Sequence, residues 1–125
     1  RPGAVVQANL KSAVAGGAPV YMYHFTLQSP VLDGKYKALH CMELPFVFNN
    51  IGRCKEMTGG GKQAEVLAAK MSQSWISFAR TGNPNTPGLP RWQAYNTRNT
   101  PTMYFDNLCV VKSQQDKDLM ELVSP

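Results

Sequence analysis

Two side chains in "ALHCMELPFVFNN", residues 38–50, have the chemistry to move a proton: His40 and, three positions on, Glu43. An imidazole ionises near neutral pH, so a histidine can take a proton from a nucleophile and return it to a leaving group. Such a base needs a hydroxyl or thiol to act on, and usually a third group to orient it. The sequence offers little of either. Ser12, Ser29, Ser72, Ser74, Ser77, Ser113 and Ser124 sit in helix-like or ordinary polar contexts. No G-x-S-x-G occurs, so there is no strand-to-helix turn on which a serine could stand as nucleophile. Spacing alone leaves His40 open between a base and a plain loop residue. His24, inside "VYMYHF", reads more simply as a strand residue that packs or pairs locally.

Other chemistries fail on spacing. His24 and His40 lie sixteen residues apart without carboxylates at supporting positions, a poor metal site. "TGGGK" lacks the P-loop pattern, since Glu56 and Gln63 occupy positions that the pattern reserves for Gly and Ser or Thr. Its glycines are better suited to shaping a helix entry. Cys41, Cys54 and Cys109 show no CxxC and no metal-like spacing. An odd count leaves at least one thiol unpaired; Cys41 and Cys54 could bridge across a loop, with free thiols as the default. No cofactor or metal is expected.

These residues must be held by a small amount of structure. A chain of 125 residues, 43% hydrophobic and 17% charged, is sized and composed for one small globular domain or a piece of a larger one. No apolar run approaches the roughly 20 residues that span a membrane. The net charge of +5 comes from 13 scattered Lys and Arg without a basic run or an aromatic-interleaved helix face, which argues against a nucleic-acid partner. "RPGAVVQANL" resembles no signal peptide, lacks an initiator Met and reads as the inside of a helix; a piece of a longer chain is the expectation.

Periodicity then places the elements. Val6, Leu10, Ala13 and Val14 recur at helical spacing over residues 4–15, and Gly16-Gly17 end that helix. "VYMYHF" (20–25) is a strand. The long helix runs between about Gln63 and Arg80, with Leu67, Met71, Trp75, Phe78 and Ala79 on one face. "TGNPNTPGLP" can only be an irregular loop. "TMYFD" (102–106) and "LCVVKS" (108–113) are strand material, with Asp106-Asn107 as hairpin or bulge. Ser113-x-x-Asp116 resembles a capping box opening a short amphipathic helix through Leu119, Leu122 and Val123. The order is α/β with an incomplete sheet of two or three strands and three helices, too little strand to be covered on both faces.

With the elements in place, the motifs resemble those of one family. "ALHCMELPFVFNN" is similar to the catalytic-histidine segment of type-B carboxylesterases and lipases, the cholinesterase-like branch of the α/β-hydrolases. Ala38, His40, Glu43, Pro45, Phe46 and Phe48 fit that pattern. "VYMYHF", "WISFARTGNPNTPGLPRWQAY" (75–95) and "TMYFDN" resemble, in order, the strand before the histidine, the family signature and the strand after it. The pattern is closest to bacterial para-nitrobenzyl-esterase-like members.

The resemblance implies that residues 1–125 are a C-terminal segment of an esterase domain, and that His40 is the triad base of an acyl-enzyme mechanism on a carboxylic ester. The nucleophile and the triad acid would come from preceding chain. Glu43 is implied as a support for the histidine loop rather than the acid, and Asp33 is not read as a substitute. The Trp75 helix and the Gly82-Asn83-Pro84 turn are implied scaffold. Alone, the chain is expected to be inactive toward esters and to self-associate through the Leu67, Met71, Trp75 and Phe78 face and the edges of "VYMYHF", which it cannot cover. A non-catalytic interaction module, or a subunit completing a separate N-terminal chain, stands as the alternative. Substrate specificity and compartment stay open.

Overall fold

The computed structural model describes residues 1–123; Ser124, and the side chain of Val123 assigned above to an amphipathic face, lie outside what is described. The elements in chain order are α1 (Pro2–Ser12), β1 (Met22–Phe25), α2 (Leu44–Val47), a 3₁₀ turn (Ile51–Arg53), α3 (Lys55–Thr58), α4 (Lys62–Thr81), β2 (Thr102–Phe105), β3 (Val110–Lys112) and α5 (Lys117–Val123). The three expected strands and three main helices are present. The single-turn α2 and α3 are additions, too short for a 3.6-residue period to reveal.

One sheet, in the order β1-β2-β3, organises the rest. β1 runs parallel to β2, and β2 pairs antiparallel with β3 across residues 106–109. The parallel pair requires a long crossover, and α2, α3 and α4 fill it. Its register sets Tyr23 beside Met103 and Phe25 beside Phe105 on one face, with Met22 beside Thr102 and His24 beside Tyr104 on the other.

The first face carries the core. Met103 and Phe105 are fully buried against α2 and α4: the ring of Phe25 meets that of Phe46 at 5.0 Å, and Trp75 meets Phe105 at 5.8 Å. On α4 the buried stripe is Ala64, Leu67, Ala68, Met71 and Ser74. The expected face was rotated relative to this one. Phe78 is 46% exposed and Ala79 is exposed, because small residues at 68 and 74 let the helix approach closely. The buried Ser74 hydroxyl is satisfied by donating to the Pro84 carbonyl, which also fastens the "TGNPNTPG" loop to the helix. In that loop Asn85 accepts the Trp92 N–H at 2.7 Å and donates to the Trp92 carbonyl at 2.9 Å.

The second face is covered only in part, as expected of so small a sheet. Arg1 and Ala4 lie beside Met22, His24 and Thr102, and α1 contacts α5. A single arginine that spans two strands and a helix start makes this thin layer possible. Val5 and Ala8 are the buried residues of α1, whereas Val6, Leu10 and Val14 are exposed. Helical spacing identified the helix but picked its solvent side.

The capping box at Ser113 does not form. Gln114 adopts φ +56 and sends its N–H to Asn99 and Thr100, so the helix starts later, at Lys117. Among the described residues, no helix is long and apolar enough to cross a membrane.

The rotated stripe on α4 is directly measurable. Met71→Ala should cost about 2–5 kcal/mol in urea unfolding, as expected for emptying a fully buried site. Phe78→Ala should cost about 1 kcal/mol, the scale of its edge-to-face contact with Tyr21. Equal losses would return the helix to the orientation read from sequence.

Candidate active site

A groove of about 430 Å³ follows the unpaired edge of β1. Tyr21 to Phe25 line it together with His40 and Glu43 from the loop and helix start that follow, and with Arg1 and Asp116. His40 and Glu43 are thus brought together with strand residues that sequence had placed separately.

His40 sits on an arch between two anchors. After it, Cys41 takes φ +66, a left-handed conformation uncommon for a residue with a Cβ, which turns the chain sharply into α2. Met42 and Phe46 then sink into the core at 2% and 1% exposure. Pro45 is suited to the first turn of α2, where its missing N–H is no loss. The imidazole itself is exposed and, among the described residues, takes no hydrogen bond. It is free to meet a partner from outside.

Glu43 occupies the N-cap position of α2, with no side-chain cap bond; its carbonyl takes the Phe46 and Val47 N–H groups at 3.0 and 2.9 Å. Its charge is felt at Tyr23, whose hydroxyl is pushed up first by burial and then by that carboxylate. No ion pair joins Glu43 to His40 among the described residues.

His24 packs locally as expected, its ring edge-on to Tyr104 at 5.3 Å. Its second partner was not foreseen. The Arg1 guanidinium bonds His24 Nδ1, donates to the Tyr104 hydroxyl at 2.7 Å and pairs with Asp116. Residues so far apart in sequence carry no spacing signal; only the alternation of β1, which points Met22 and His24 away from Tyr23, could have hinted at it. Burial, and next the Arg1 charge, hold His24 below the usual histidine range.

The remaining chemistry-bearing groups lie elsewhere. No serine lines the groove among the described residues. Ser12, Ser29, Ser74 and Ser77 all donate to backbone carbonyls. The three cysteines are unpaired and half-buried, and burial pushes the Cys109 thiol up, away from a reactive thiolate. Among the described residues, no three His, Cys, Asp or Glu gather to hold a metal ion.

A parallel strand pair, a histidine loop leaving the first of them and helices on both faces define a piece of an α/β-hydrolase sheet. Solved structures agree. An esterase from anaerobic Clostridium hathewayi that can hydrolyze aliphatic aromatic polyesters superposes with a TM-score of 0.75 at 36% identity, over 86% of this chain and 21% of that one. The Geobacillus stearothermophilus carboxylesterase gives 0.74 at 34% identity, over 93% and 24%. In sequence, the para-nitrobenzyl esterase of Bacillus subtilis is 33% identical over 116 residues, 91% of this chain and 23% of that protein. Residues 4–121 match the carboxylesterase family, and the chain belongs to it. It spans about a quarter of the length of these relatives.

The His24 environment predicts a pH dependence. A histidine whose folded pKa is depressed binds protons more weakly folded than unfolded. Stability is therefore full above the ordinary histidine value near 6.5 and falls as pH drops below it. Urea midpoints should decline between pH 7.5 and 5.5, and His24→Asn should flatten that decline. A slope untouched by the substitution would assign it to other groups.

Proposed function

We propose that this chain is the C-terminal segment of a serine carboxylesterase and contributes the triad base, His40. Residues 1–125 form part of one catalytic domain, whose nucleophilic serine and acid come from preceding chain. His40 takes the serine Oγ proton as the oxygen attacks the ester carbonyl carbon. It returns that proton to the departing alkoxide as the tetrahedral intermediate collapses to the acyl-enzyme. Water then repeats the cycle, His40 taking its proton and giving it to the serine as the acid leaves. The single observation that carries the proposal is an exposed imidazole on a pinned arch, beside an open strand edge, in a chain of carboxylesterase sequence. The substrate class is carboxylic esters, as the names of the relatives suggest.

Glu43 is proposed as a support of the histidine loop rather than the triad acid. It lies only one turn along the same loop, and its charge acts on Tyr23. An orienting carboxylate would have to reach the far nitrogen of the ring.

Two outcomes follow. The 125-residue chain alone should not turn over a chromogenic short-chain ester, since a base without a nucleophile has nothing to activate. Turnover by this chain that His40→Ala abolishes would refute the missing-nucleophile account. The chain alone should also self-associate. Leu67 and Met71, expected to be part of the sticky surface, are buried within the chain. Exposed apolar groups instead include Val6 and Leu10 on α1, Val14 just beyond it, and Ile76 and Phe78 on α4, beside the open edge of β1. Light scattering should report a dimer or larger; a monodisperse monomer would count against it.

A further inference from the structure

The N-terminal anchor of the histidine arch rests on one buried hydroxyl. Ser29 is 5% exposed, in the loop between β1 and the arch. Its Oγ donates to the Met57 carbonyl on α3 at 2.7 Å and accepts the Val31 N–H at 3.2 Å. Its own N–H donates to the Lys37 carbonyl at 3.1 Å. That last bond closes residues 30–36 into a loop, which further bonds from Gly34 to Val31 and from Lys37 to Gly34 tighten. Lys37 is three residues before His40, so the foot of the arch is tied, through Ser29, to α3.

A second contact presses on the same foot. Pro30 lies against Gly59, the left-handed C-cap of α3, so closely that a Cβ there would fall 2.4 Å from the proline Cγ. A buried serine satisfied on both sides and a glycine that admits no side chain fix the foot from two directions. Meanwhile the arch itself, residues 38–40, is exposed.

We infer that Ser29 is a positioning residue for His40, acting through the Lys37 carbonyl and the arch. This rests on the proposed role of His40 as base. A base must meet its nucleophile within hydrogen-bond reach, and an error of about 1 Å can cost about a hundredfold in rate. The opposite foot is held by buried apolar side chains, Met42 and Phe46, which resist displacement. The Ser29 foot is held to α3 by its Oγ bonds to Met57 and Val31, which Ser29→Ala removes while the backbone bond from the Ser29 N–H to Lys37 remains. Releasing it would let His40 drift without opening the core.

The test uses the longer esterase that carries this segment, assayed on a chromogenic ester with variants Ser29→Ala, Ser29→Thr and His40→Ala. Ser29→Ala should lower kcat about tenfold or more with KM within about twofold. Ser29→Thr, which keeps the hydroxyl, should recover most of it. Amide hydrogen exchange should quicken in residues 37–42 of Ser29→Ala while β2 stays protected. An unchanged kcat, a loss that Thr does not rescue, or a loss matched by unprotected β2 amides would each overturn the inference, the last by making Ser29 a structural residue only. His40→Ala separates the two claims. If it retains turnover, the base assignment falls. If it abolishes turnover while Ser29→Ala is silent, only the role of Ser29 falls.

Discussion

Everything in this chain hangs on burying the ring of Phe105. It is fully enclosed and meets Tyr23, Trp75 and Trp92 at 6.0, 5.8 and 5.7 Å. Burying a side chain of that size is worth about 1.5–3 kcal/mol, and edge-to-face partners add to it. Its backbone works equally hard. The Phe105 carbonyl takes the N–H groups of Thr26 and Leu27 at 2.9 and 3.2 Å, which holds the exit of β1 against β2. Because the strand register sets Phe25 beside Phe105, and Phe25 packs on Phe46, the enclosure of one ring dictates where α2 begins. The histidine arch is the segment just before α2. Core packing sets its C-terminal foot and the Ser29 bonds its N-terminal one, rather than any contact of the imidazole.

That dependence explains what could be read in advance. The strands of "VYMYHF" and "TMYF" and the span of α4 follow from composition and period, because local preference and burial agree there. His40 could be singled out because a loop histidine ahead of an aromatic run is chemically conspicuous, and the family resemblance gave it a role. Orientation was harder. On α1 the apolar residues outnumber the buried positions, and Val6 and Leu10, with Val14 just beyond the helix, are spaced as regularly as the residues that pack. On α4 the contact is made through Ala68 and Ser74, residues whose virtue is to be small. Hydrophobicity does not register that virtue.

The polar devices were the least visible. Arg1, His24, Tyr104 and Asp116 meet only because β1 and β2 pair in one register and α5 starts at one residue; a one-residue slip of β1 would turn His24 into the core, and one of β2 would do the same to Tyr104. The failed capping box has the same origin. Ser113 and Asp116 have suitable types and spacing, but Gln114 is claimed by Asn99 and Thr100, and Asp116 by Arg1. Long-range bonds override a local motif when they satisfy more of the buried groups. Ser29 is hidden for a similar reason: as a sequence symbol it is an ordinary loop serine, and only its burial against Met57 marks it.

These features meet in the groove beside β1. It is lined by a strand edge with unpaired backbone groups, by the exposed His40 and by the charge cluster at Arg1. An open edge of this kind is a liability unless another strand covers it. If one does, its C-terminal end meets the same side of the sheet as the exit of β1, since parallel strands deliver their following loops to one edge. A nucleophile or acid carried on such a loop would arrive beside His40 without any further adjustment of this chain. The edge through which self-association is proposed is thus also the feature that would register His40, the proposed base, against its partners. Stability of the parent sheet and alignment of its catalytic groups would depend on the same row of backbone hydrogen bonds.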